Sequence, residues 1–265
     1  MKIKNRLAGI VRNLPKPLNI IACRWLSDAG IMSSWNKSYS KIGCPQHILS
    51  GLFTGMAYAP IAHGSPLMPK LLGSYENEIN AFVSEAIADC PDIVVDIGSA
   101  EGYYAVGLAV ALVNATIYAF DINPLANHHL LHNARRNGVR GRVNVGQDCD
   151  SNALQSILMN SARPLVISDC EGYELDILDP SKVPLLTRCR MIVEVHEQQS
   201  GMSARELLFH RFQSTHFIDT VSSVERTAAD WPELVRNSCF SNKEKAYALD
   251  EGRSPQNWMA FVPKN

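Results

Sequence analysis

The sequence lacks the signatures of several common classes of protein. None of its seven cysteines belongs to a C-x-x-C pair, so the pattern indicates neither a zinc site nor a dithiol redox centre. The cysteines are odd in number and widely scattered, which predicts reduced thiols and a cytoplasmic protein. The longest apolar run near the N-terminus, LNIIACRWL, is broken by Arg24 and is far shorter than a membrane span. That run also lacks a small-residue cleavage site in register, so no signal peptide is expected.

A dinucleotide-binding fingerprint is missing as well. Residues 91–104 read PDIVVDIGSAEGYY: the β-branched run predicts a strand buried on both faces, and the turn from Gly98 to Gly102 leads into an apolar helix pattern. The dinucleotide pattern G-x-G-x-x-G requires a third glycine. This turn instead reads acidic-x-G-x-x-x-G, with Asp96 as the acidic residue.

The carboxylate of Asp96 indicates which ligand suits this turn. It would repel a diphosphate, and it would attract a ligand with a cationic amino-acid end. S-adenosylmethionine fits, because it carries an ammonium, a sulfonium and a ribose but no phosphate. A tight strand-to-helix turn with a carboxylate favoured by the helix dipole would give the same residues. The rest of the sequence is therefore needed to decide between a cofactor-binding turn and a purely structural one.

Charge is distributed unevenly along the chain. The net charge is −1, but residues 1–74 carry nine Lys and Arg against one Asp, a net charge of +8, so the remainder carries −9. A basic segment suits an anionic membrane surface, an anionic substrate or nucleic acid, and a solvated basic helix explains it equally well. We expect at most a weak association with a membrane surface through this segment.

The composition divides the chain in two. Residues 1–74 are predicted to form a basic cap or extension, with two short helical pieces around a PKP break and then a Pro- and Gly-rich, mostly irregular linker or cap from residue 43. Residues 75–265 are predicted to form a Rossmann-like domain that binds S-adenosylmethionine. Its first helix is expected to be capped by Ser74, with Glu76 in the first turn.

Five successive βα repeats predict a doubly wound α/β sheet in this domain. The later strands are expected at ATIYAFD, RVNVG, PLVISD, RMIVEV, HFIDTVSSV and NWMAFVP. No helical crossover is evident before the last of these, so that strand should be antiparallel, as in the seven-stranded sheet of class I methyltransferases. Parallel strands end at one sheet edge, where ligands bind. The acidic residues expected to converge there are Asp96, Asp121, Asp148, Asp169 and Glu194.

The chain resembles the FkbM-type S-adenosylmethionine-dependent methyltransferases. The likeness covers roughly residues 75–200 and rests on VVDIGSAEGYYAVGLA, AFDINP, SDCEGYELDIL and VEVHE. The third motif is close to the family pattern D-x-E-G-x-E-x-x-x-L, and its combination with the first is the most selective feature. The resemblance implies a transferase with the class I methyltransferase fold and S-adenosylmethionine as its cofactor.

The resemblance also assigns residues to the cofactor. The implied cofactor-binding residues are Asp96, Gly98, Ser99, Gly102, Asp121, Ile122, Asp148, Cys149 and Asp169. Among these, Asp96 and the two glycines would surround the methionine part, and Asp148 would lie near the adenine amino group. Asp121 would hold the ribose, and its position nineteen residues beyond Gly102 agrees with the usual interval for such a contact.

The implied chemistry is O-methylation of a hydroxyl on a sugar, glycolipid or secondary metabolite, with a small molecule or glycan as acceptor. A hydroxyl is a poor nucleophile, so a general base is expected near the transferred methyl. The resemblance places Asp169, Glu171 and His196 there, and His196 is the side chain best poised near neutral pH. A structural role explains each residue equally well. Glu171 would then be an acidic residue in the first turn of a helix, and His196 a strand-end histidine whose hydrogen bonds are made with the backbone.

Metal binding is a separate question. Four side chains could offer donors to Mg²⁺, namely Asp169, Glu171, Glu194 and His196. Their spacing alone does not fix their convergence, so a divalent metal is not favoured and no metal site is predicted. His128 and His132 have a ligand spacing on one helix face, but without a third ligand a solvated or packed face is favoured. Cys170 is expected to be a small buried residue rather than a nucleophile.

A long connection, Glu225 to Gln256, separates the last two strands. If the last strand is antiparallel, this connection begins and ends at the sheet edge that holds the cofactor, where long ordered connections commonly serve as lids. Trp231, Glu251 and Arg253 are therefore predicted substrate contacts. In the alternative interpretation, Trp231 only packs the lid.

Three other functions stay as alternatives. An RNA or other nucleic-acid methyltransferase shares the fold, but enzymes that methylate exocyclic amines have an N/D-P-P-Y/F-like turn where this chain has DCEG. The acidic catalytic part would also repel a phosphate backbone, so nucleic acid is not an expected partner. A nucleotide-dependent dehydrogenase is disfavoured by the missing third glycine. A non-catalytic interaction domain would bind S-adenosylmethionine and leave every acceptor untouched.

Overall fold

A computed structural model gives the structure of the chain and describes residue 42 and residues 45–197, 202–235, 240–252 and 256–264. The helical pieces predicted for the basic N-terminal segment lie outside the described residues. Arg253 lies outside them too. Across the described ranges, no helix is both long enough and apolar enough to cross a membrane.

Within the described part of the chain, seven strands form one sheet in the order β3-β2-β1-β4-β5-β7-β6. The strands are β1 (Ile93–Ile97), β2 (Thr116–Phe120), β3 (Val143–Gly146), β4 (Pro164–Ser168), β5 (Arg190–Val195), β6 (His216–Ser222) and β7 (Asn257–Pro263). Strands β1 to β5 pair in parallel, whereas β7 is antiparallel to both β5 and β6. The predicted antiparallel last strand is confirmed, and the sheet is that of the class I methyltransferase fold.

Helices connect the strands and cover the sheet. They are α1 (Leu67–Leu72), α2 (Asn80–Ala88), α3 (Tyr103–Ala111), α4 (Pro124–Arg136), α5 (Ser151–Leu158), α6 (Glu174–Ile177), α7 (Ala204–Phe212) and α8 (Asn242–Leu249). The Asn-Pro pair at residues 123 and 124 predicts a capped helix start. The structure confirms it, because Asn123 Oδ1 accepts a hydrogen bond from the Leu125 N–H at 3.0 Å and Pro124 occupies the first position of α4. The sequence also predicts a helix from Ala204 to Phe212, and α7 spans these residues and begins with a capping box at Ser203.

The start of α2 differs from the sequence prediction. The sequence predicts a helix capped by Ser74 with Glu76 in its first turn, but a 3-10 turn at Asn77–Ile79 precedes α2, which begins at Asn80. The backbone of Glu76 is left-handed (φ 48°), a conformation that a right-handed helix does not include. The buried Glu76 side chain accepts a hydrogen bond from Tyr104 Oη at 2.6 Å. A tertiary contact therefore overrides the local cap pattern.

The sheet separates two apolar layers. In β1, Val94 packs into one layer together with α3 and α4, while Ile93, Val95 and Ile97 pack into the other layer with α5 and α7. All residues of β1 are buried, which confirms the prediction of a strand covered on both faces. The end of β1 is therefore fixed by packing on both faces, and the glycine turn that follows it lies at the edge of the sheet.

The Pro- and Gly-rich segment before the sheet packs onto this core. Its composition predicts a mostly irregular linker or cap, yet Phe53, Tyr58 and Leu71 are buried in the same apolar layer as α3. The contact at Phe53 is close, because a Cβ on Gly107 of α3 would lie 2.6 Å from the Phe53 ring. The described residues 45–74 thus form a packed layer rather than a spacer. The domain boundary at residue 75 stays a prediction.

A buried ion pair joins this layer to the glycine turn. Lys70 of α1 donates to the carboxylate of Glu101, which is 0% exposed. The same carboxylate accepts hydrogen bonds from Tyr58 Oη and from the His63 backbone N–H at 2.8 Å. Burial acts to raise the pKa of Glu101, but Lys70 and these hydrogen bonds lower it below its usual value. Glu101 is therefore a charged anchor inside the protein.

Replacing Lys70 with methionine should destabilise the fold strongly, because Glu101 would stay buried without its cation. Removing one partner of a buried ion pair costs about 3 to 5 kcal/mol. Urea denaturation followed by circular dichroism measures the free energy of unfolding. Lys182, which is exposed, provides the control, and Lys182→Met should change that free energy by less than about 0.5 kcal/mol. Equal stability of the two variants would contradict the anchoring role.

Candidate functional site

Gly98 and Gly102 shape the turn between β1 and α3. A Cβ on Gly98 (φ 88°) would lie 1.6 Å from the backbone oxygen of Asp169, and the Gly98 N–H donates to the Phe120 carbonyl at 2.8 Å. Gly102 (φ 90°) is the N-cap of α3, and a Cβ there would lie 2.7 Å from the side chain of Leu130. Only glycine adopts these φ values without strain. The turn is therefore held against the ends of β2 and β4.

Asp96 is a buried residue of β1, two residues before Gly98. Its side chain is 3% exposed, and its Oδ2 has no hydrogen-bond partner among the described residues. Burial raises the pKa of Asp96 to about 8, and the charges of Asp169 and Asp121 add to this effect. The hydroxyl of Ser99 is also buried without a hydrogen bond to a described residue. A cationic, hydrogen-bonding ligand would supply the partners that these two groups lack.

Asp121, the residue after β2, stabilises the glycine turn. Its Oδ2 accepts a hydrogen bond from the Ala100 N–H at 2.8 Å, and its Oδ1 accepts one from the Asn123 N–H at 2.7 Å. Each carboxylate oxygen keeps a second lone pair that could accept from a ligand. Ile122, the next residue, is 80% exposed beside it. The ribose contact of Asp121 stays a prediction, and a variant at this position would also disturb the turn.

The residues that follow β3 lie at the same sheet edge. Asp148 is exposed, whereas Cys149 is 4% exposed. Burial raises the pKa of Cys149 to about 12, so its thiol stays protonated at neutral pH. Asp150 caps α5 by accepting from the Ala153 N–H at 2.7 Å. The predicted contacts of Asp148 and Cys149 with an adenine remain predictions.

His196 and three carboxylates meet where β4 and β5 end. The distances from His196 Nε2 are 3.8 Å to Asp169 Oδ1, 3.7 Å to Glu171 Oε2 and 3.8 Å to Glu194 Oε1. Of the five acidic residues expected to converge at this edge, Asp169 and Glu194 are brought together beside His196 by this geometry. Glu194 is almost fully buried, Asp169 is partly exposed, and the Glu171 side chain is 90% exposed. The cluster is therefore exposed to solvent on the side of Glu171 and buried on the side of Glu194.

Glu174 orients His196, and the sequence analysis did not identify it. Glu174 is 0% exposed, and its Oε1 accepts from the His196 backbone N–H at 2.8 Å and lies 3.1 Å from His196 Nδ1. The hydrogen bond to Glu174 raises the pKa of His196, partly offset by burial, and the nearby charges of Asp169 and Glu171 raise it further. Burial acts to raise the pKa of Glu174, but its hydrogen bonds to His196 lower it. The sequence offered one signal for this role, because Glu174 is the second glutamate of the motif SDCEGYELDIL.

The turn after β4 is unusual in its backbone. Glu171 has a φ of 55° and Gly172 a φ of 105°, and a positive φ is uncommon for a residue other than glycine. Glu174 Oε2 accepts from the Gly172 N–H at 2.8 Å and stabilises this turn. Cys170 between the acidic residues has a pKa raised to about 12 by burial, consistent with its expected role as a packed thiol.

Trp231 packs the connection between β6 and β7. It is 3% exposed, its ring centroid lies 4.8 Å from that of Phe240, and its Nε1–H donates to the Val235 carbonyl at 3.1 Å. Both rings belong to an apolar cluster with residues of α1 and α8. This arrangement agrees with the alternative in which Trp231 packs the lid, and its predicted acceptor contact has no support from the geometry.

Glu251 fastens the same connection to the segment before α2. Its Oε1 accepts from Arg226 Nη2 at 2.7 Å and from the Glu76 backbone N–H at 3.2 Å. Arg226 also pairs with Glu78, so one largely buried guanidinium holds two carboxylates. Glu251 is therefore a structural contact here, and its predicted role toward a substrate stays a prediction. Arg253 cannot be placed, because it lies outside the described residues.

The histidines of α4 do not assemble a ligand set. His128 and His132 are exposed, as favoured by the sequence analysis. His129 instead pairs with His63 of the preceding layer, with 2.7 Å between His63 Nε2 and His129 Nδ1. Burial lowers the pKa of both, to about 4 for His129, where the neighbouring histidines add to the effect. Among the described residues, the group with metal-ligand proximity is Asp169, Glu194 and His196.

Comparison of the chain with family models finds no match. A curated relative, the ribosomal protein L11 methyltransferase of Pelotomaculum thermopropionicum, is 26% identical in an alignment of 163 residues, which covers 55% of this chain and 49% of that protein. The chain thus spans about half the length of this relative. Membership of the FkbM family stays a prediction.

Solved structures of methyltransferases resemble this chain at low identity. The precorrin-6y C5,15-methyltransferase from Geobacter metallireducens is 11% identical with a TM-score of 0.47, over 71% of this chain and 89% of that one. The O-methyltransferase from Bacillus cereus in complex with SAH is 14% identical with a TM-score of 0.45, over 90% and 96% of the two chains. These likenesses carry no argument about activity. The fold assignment rests on strand order and direction.

Arg226→Leu should loosen the connection between β6 and β7, because Glu78 and Glu251 would lose their shared cation. Trypsin cleavage after Lys243 and Lys245 in α8 reports this opening. We expect cleavage at least about tenfold faster, which corresponds to about 1.4 kcal/mol in the opening equilibrium.

Arg205 provides the control for this experiment. It is exposed and donates to Thr220 Oγ1 of β6 at 3.1 Å. Arg205→Leu should leave the cleavage rate near that of the unmodified chain. Equal rates for the two variants would mean that the ion pairs do not hold the connection in place.

Proposed function

We propose that this protein transfers the methyl group of S-adenosylmethionine to an acceptor bound beside the ends of β4 and β5. The observation that carries the proposal is the buried carboxylate of Asp96, whose Oδ2 lacks a hydrogen-bond partner among the described residues at the mouth of a glycine turn. In this fold that turn lies at the carboxyl edge of the sheet, where ligands bind. A cation at this position offsets the cost of the buried charge.

The chemistry of the site favours S-adenosylmethionine over a phosphate-rich cofactor. Asp121 accepts a hydrogen bond from the Ala100 N–H of the turn, and its charge acts on Asp96, two residues before Gly98. A diphosphate there would meet repulsion from both, whereas the ammonium of the methionine part would be attracted. The unpartnered hydroxyl of Ser99 offers a further hydrogen bond to that end of the ligand.

A hydroxyl is the acceptor that the FkbM resemblance supports. The acceptor oxygen would form its bond to the methyl carbon as the carbon–sulfur bond breaks, and the bonding electrons would neutralise the sulfonium. The hydroxyl proton must leave during this step, and Asp169, Glu171 and His196 line the wall where it would be released. A sugar, glycolipid or secondary metabolite hydroxyl is the proposed acceptor class.

An amine on a protein is the second acceptor candidate. The L11 methyltransferase is named for a protein acceptor, and the carboxylates of Asp169, Glu171 and Glu194 would attract a cationic side chain. Nucleic acid is disfavoured by the same carboxylates, because a phosphate backbone seeks cationic side chains. Association of the basic segment 1–74 with a membrane surface stays a prediction.

Asp96→Asn should weaken S-adenosylmethionine binding measured by isothermal titration calorimetry. The loss of a charge-assisted hydrogen bond costs about 1.5 to 3 kcal/mol, or roughly ten- to hundredfold in Kd. Asparagine keeps the shape of the side chain, so the fold should persist. Asp219→Asn, the same substitution at an exposed residue of β6, is the control. Binding of NAD in place of S-adenosylmethionine would overturn the proposal.

His196→Ala should lower methyl transfer by at least about a hundredfold while S-adenosylmethionine affinity stays within about threefold. Labelled methyl transfer onto panels of hydroxyl and amine acceptors measures the rate. The reason is that His196 lies in the cluster with Asp169 and Glu171 where β4 and β5 end, whereas the glycine turn expected to hold the cofactor follows β1. Turnover that persists in this variant and collapses in Glu171→Gln would assign the proton transfer to Glu171 and a structural role to His196.

A further inference from the structure

We propose that Asp169, Glu194 and His196 form a binding site for one first-row divalent cation beside the transferred methyl. One ligand atom from each of these side chains lies within 4.8 Å of the others. The role of this cation in catalysis rests on the proposed function, but its binding does not. Spacing in the sequence did not favour a metal, and the new information is the convergence of three side chains from two strand ends.

The distances around His196 Nε2 suit a shared ion better than direct hydrogen bonds. The Asp169 and Glu194 oxygens both lie 3.8 Å away. A protonated imidazole that paired with either carboxylate would approach it to about 2.7 to 2.9 Å. Two atoms that bind one ion at about 2.0 to 2.2 Å are separated by about 3 to 4 Å. The observed spacing therefore leaves room for a cation between the three groups.

The orientation of His196 is that of a metal ligand. Its Nδ1 lies 3.1 Å from Glu174 Oε1, which is outside the ligand set and fully buried. Histidines that bind metals usually donate their other ring N–H to a carboxylate, which fixes the tautomer and increases the basicity of the ligating nitrogen. With Nδ1–H donated to Glu174, the Nε2 lone pair faces Asp169 and Glu194.

Asp96 supplies an independent observation from the neighbouring strand. It is 3% exposed, its Oδ2 has no hydrogen-bond partner among the described residues, and the charge of Asp169 acts on it. In the register of β1 and β4, Asp96 lies opposite Ile167, two residues before Asp169. Carboxylates that lie close together repel each other, and this repulsion is relieved when cations lie near them. The cofactor would bring one such cation to Asp96, and the proposed ion would bring another to Asp169.

The donor set indicates the class of cation. Mg²⁺ and Ca²⁺ prefer oxygen ligands alone, whereas imidazole nitrogen suits the first-row metals from Mn²⁺ to Zn²⁺. Two carboxylates and one imidazole leave positions open for an acceptor oxygen and water. Glu171, with its side chain 90% exposed, lies 3.7 Å from His196 Nε2 at the rim of the cluster. It is placed to accept a proton rather than to complete the ligand set.

The cation would activate the acceptor as a Lewis acid. A hydroxyl bound to a divalent cation loses its proton more readily, as water bound to such ions does. That proton would go to Glu171, the oxygen would bond to the methyl carbon, and the carbon–sulfur electrons would return to sulfur. In this assignment His196 holds the ion, and Glu171 is the base.

Mn²⁺ binding to the full chain tests the site directly. After treatment with a chelator, titration with Mn²⁺ followed by electron paramagnetic resonance should show one saturable site per chain. His196→Ala and Asp169→Asn should each weaken this binding at least about tenfold. Asp176→Asn, an exposed carboxylate on α6 close in sequence to the cluster, should stay within about twofold. Circular dichroism and S-adenosylmethionine titration of each variant verify that it is folded.

The spectroscopic signature separates a site from general attraction to acidic groups. Imidazole nitrogen coupling to Mn²⁺ should be present in the unmodified chain and in Asp176→Asn, and absent in His196→Ala. No saturable binding, or an equal loss in Asp176→Asn and Asp169→Asn, would overturn the inference. Mn²⁺ binding without methyl transfer to any acceptor would overturn the proposed function and leave the site in place. Methyl transfer that EDTA leaves unchanged, together with an absence of Mn²⁺ binding, would overturn the proposed metal site and leave the proposed function in place.

Discussion

The buried charge of Glu101 is the constraint on which the glycine turn between β1 and α3 depends. A carboxylate inside a protein requires a cation and hydrogen bonds, and here Lys70, Tyr58 and the His63 backbone supply them. All three partners come from the layer that precedes the sheet, while Asn133 of α4 donates to the Glu101 carbonyl at 3.1 Å. The turn between β1 and α3 is therefore held by two other parts of the chain. The same contacts join the described Pro- and Gly-rich residues, which have little regular structure, to the apolar layer that contains α3 and α4.

The direction of the strands determines where the remaining acidic groups gather. Parallel strands β1, β2, β4 and β5 all end at one edge, so residues far apart in sequence, such as Asp96, Asp121 and Asp169, become neighbours. Their mutual repulsion is visible in the raised pKa of Asp96, for which burial is the main cause. Such an edge is unfavourable for a phosphate-rich ligand and favourable for cations. The proposed cofactor and the proposed ion both follow from this single electrostatic property.

The sequence predicts those features that depend on short-range patterns. The β-branched run of β1, the Asn123 cap of α4 and the antiparallel β7 all follow from local composition and connection length, and the structure confirms them. It does not predict Glu76, whose left-handed backbone depends on a contact with Tyr104. Nor does it reveal Glu174, because a buried carboxylate is recognisable only once its partner, His196, is known to lie beside it. In each of these cases the deciding interaction joins residues that are distant in the sequence, which local propensity does not encode.

The placement of the carboxylates also bears on how methyl transfer would be accelerated. Positive charge leaves the sulfur and develops at the acceptor oxygen as the methyl moves, so a carboxylate near the sulfonium would stabilise the ground state more than the transition state. Groups that increase the rate must therefore lie on the acceptor side. Asp96 lies at the turn expected to hold the amino-acid end of the cofactor, whereas Asp169, Glu171 and His196 lie together where β4 and β5 end. On the proposed function, this separation lets Asp96 contribute binding energy while the cluster beyond β4 and β5 acts on the oxygen that gains the charge.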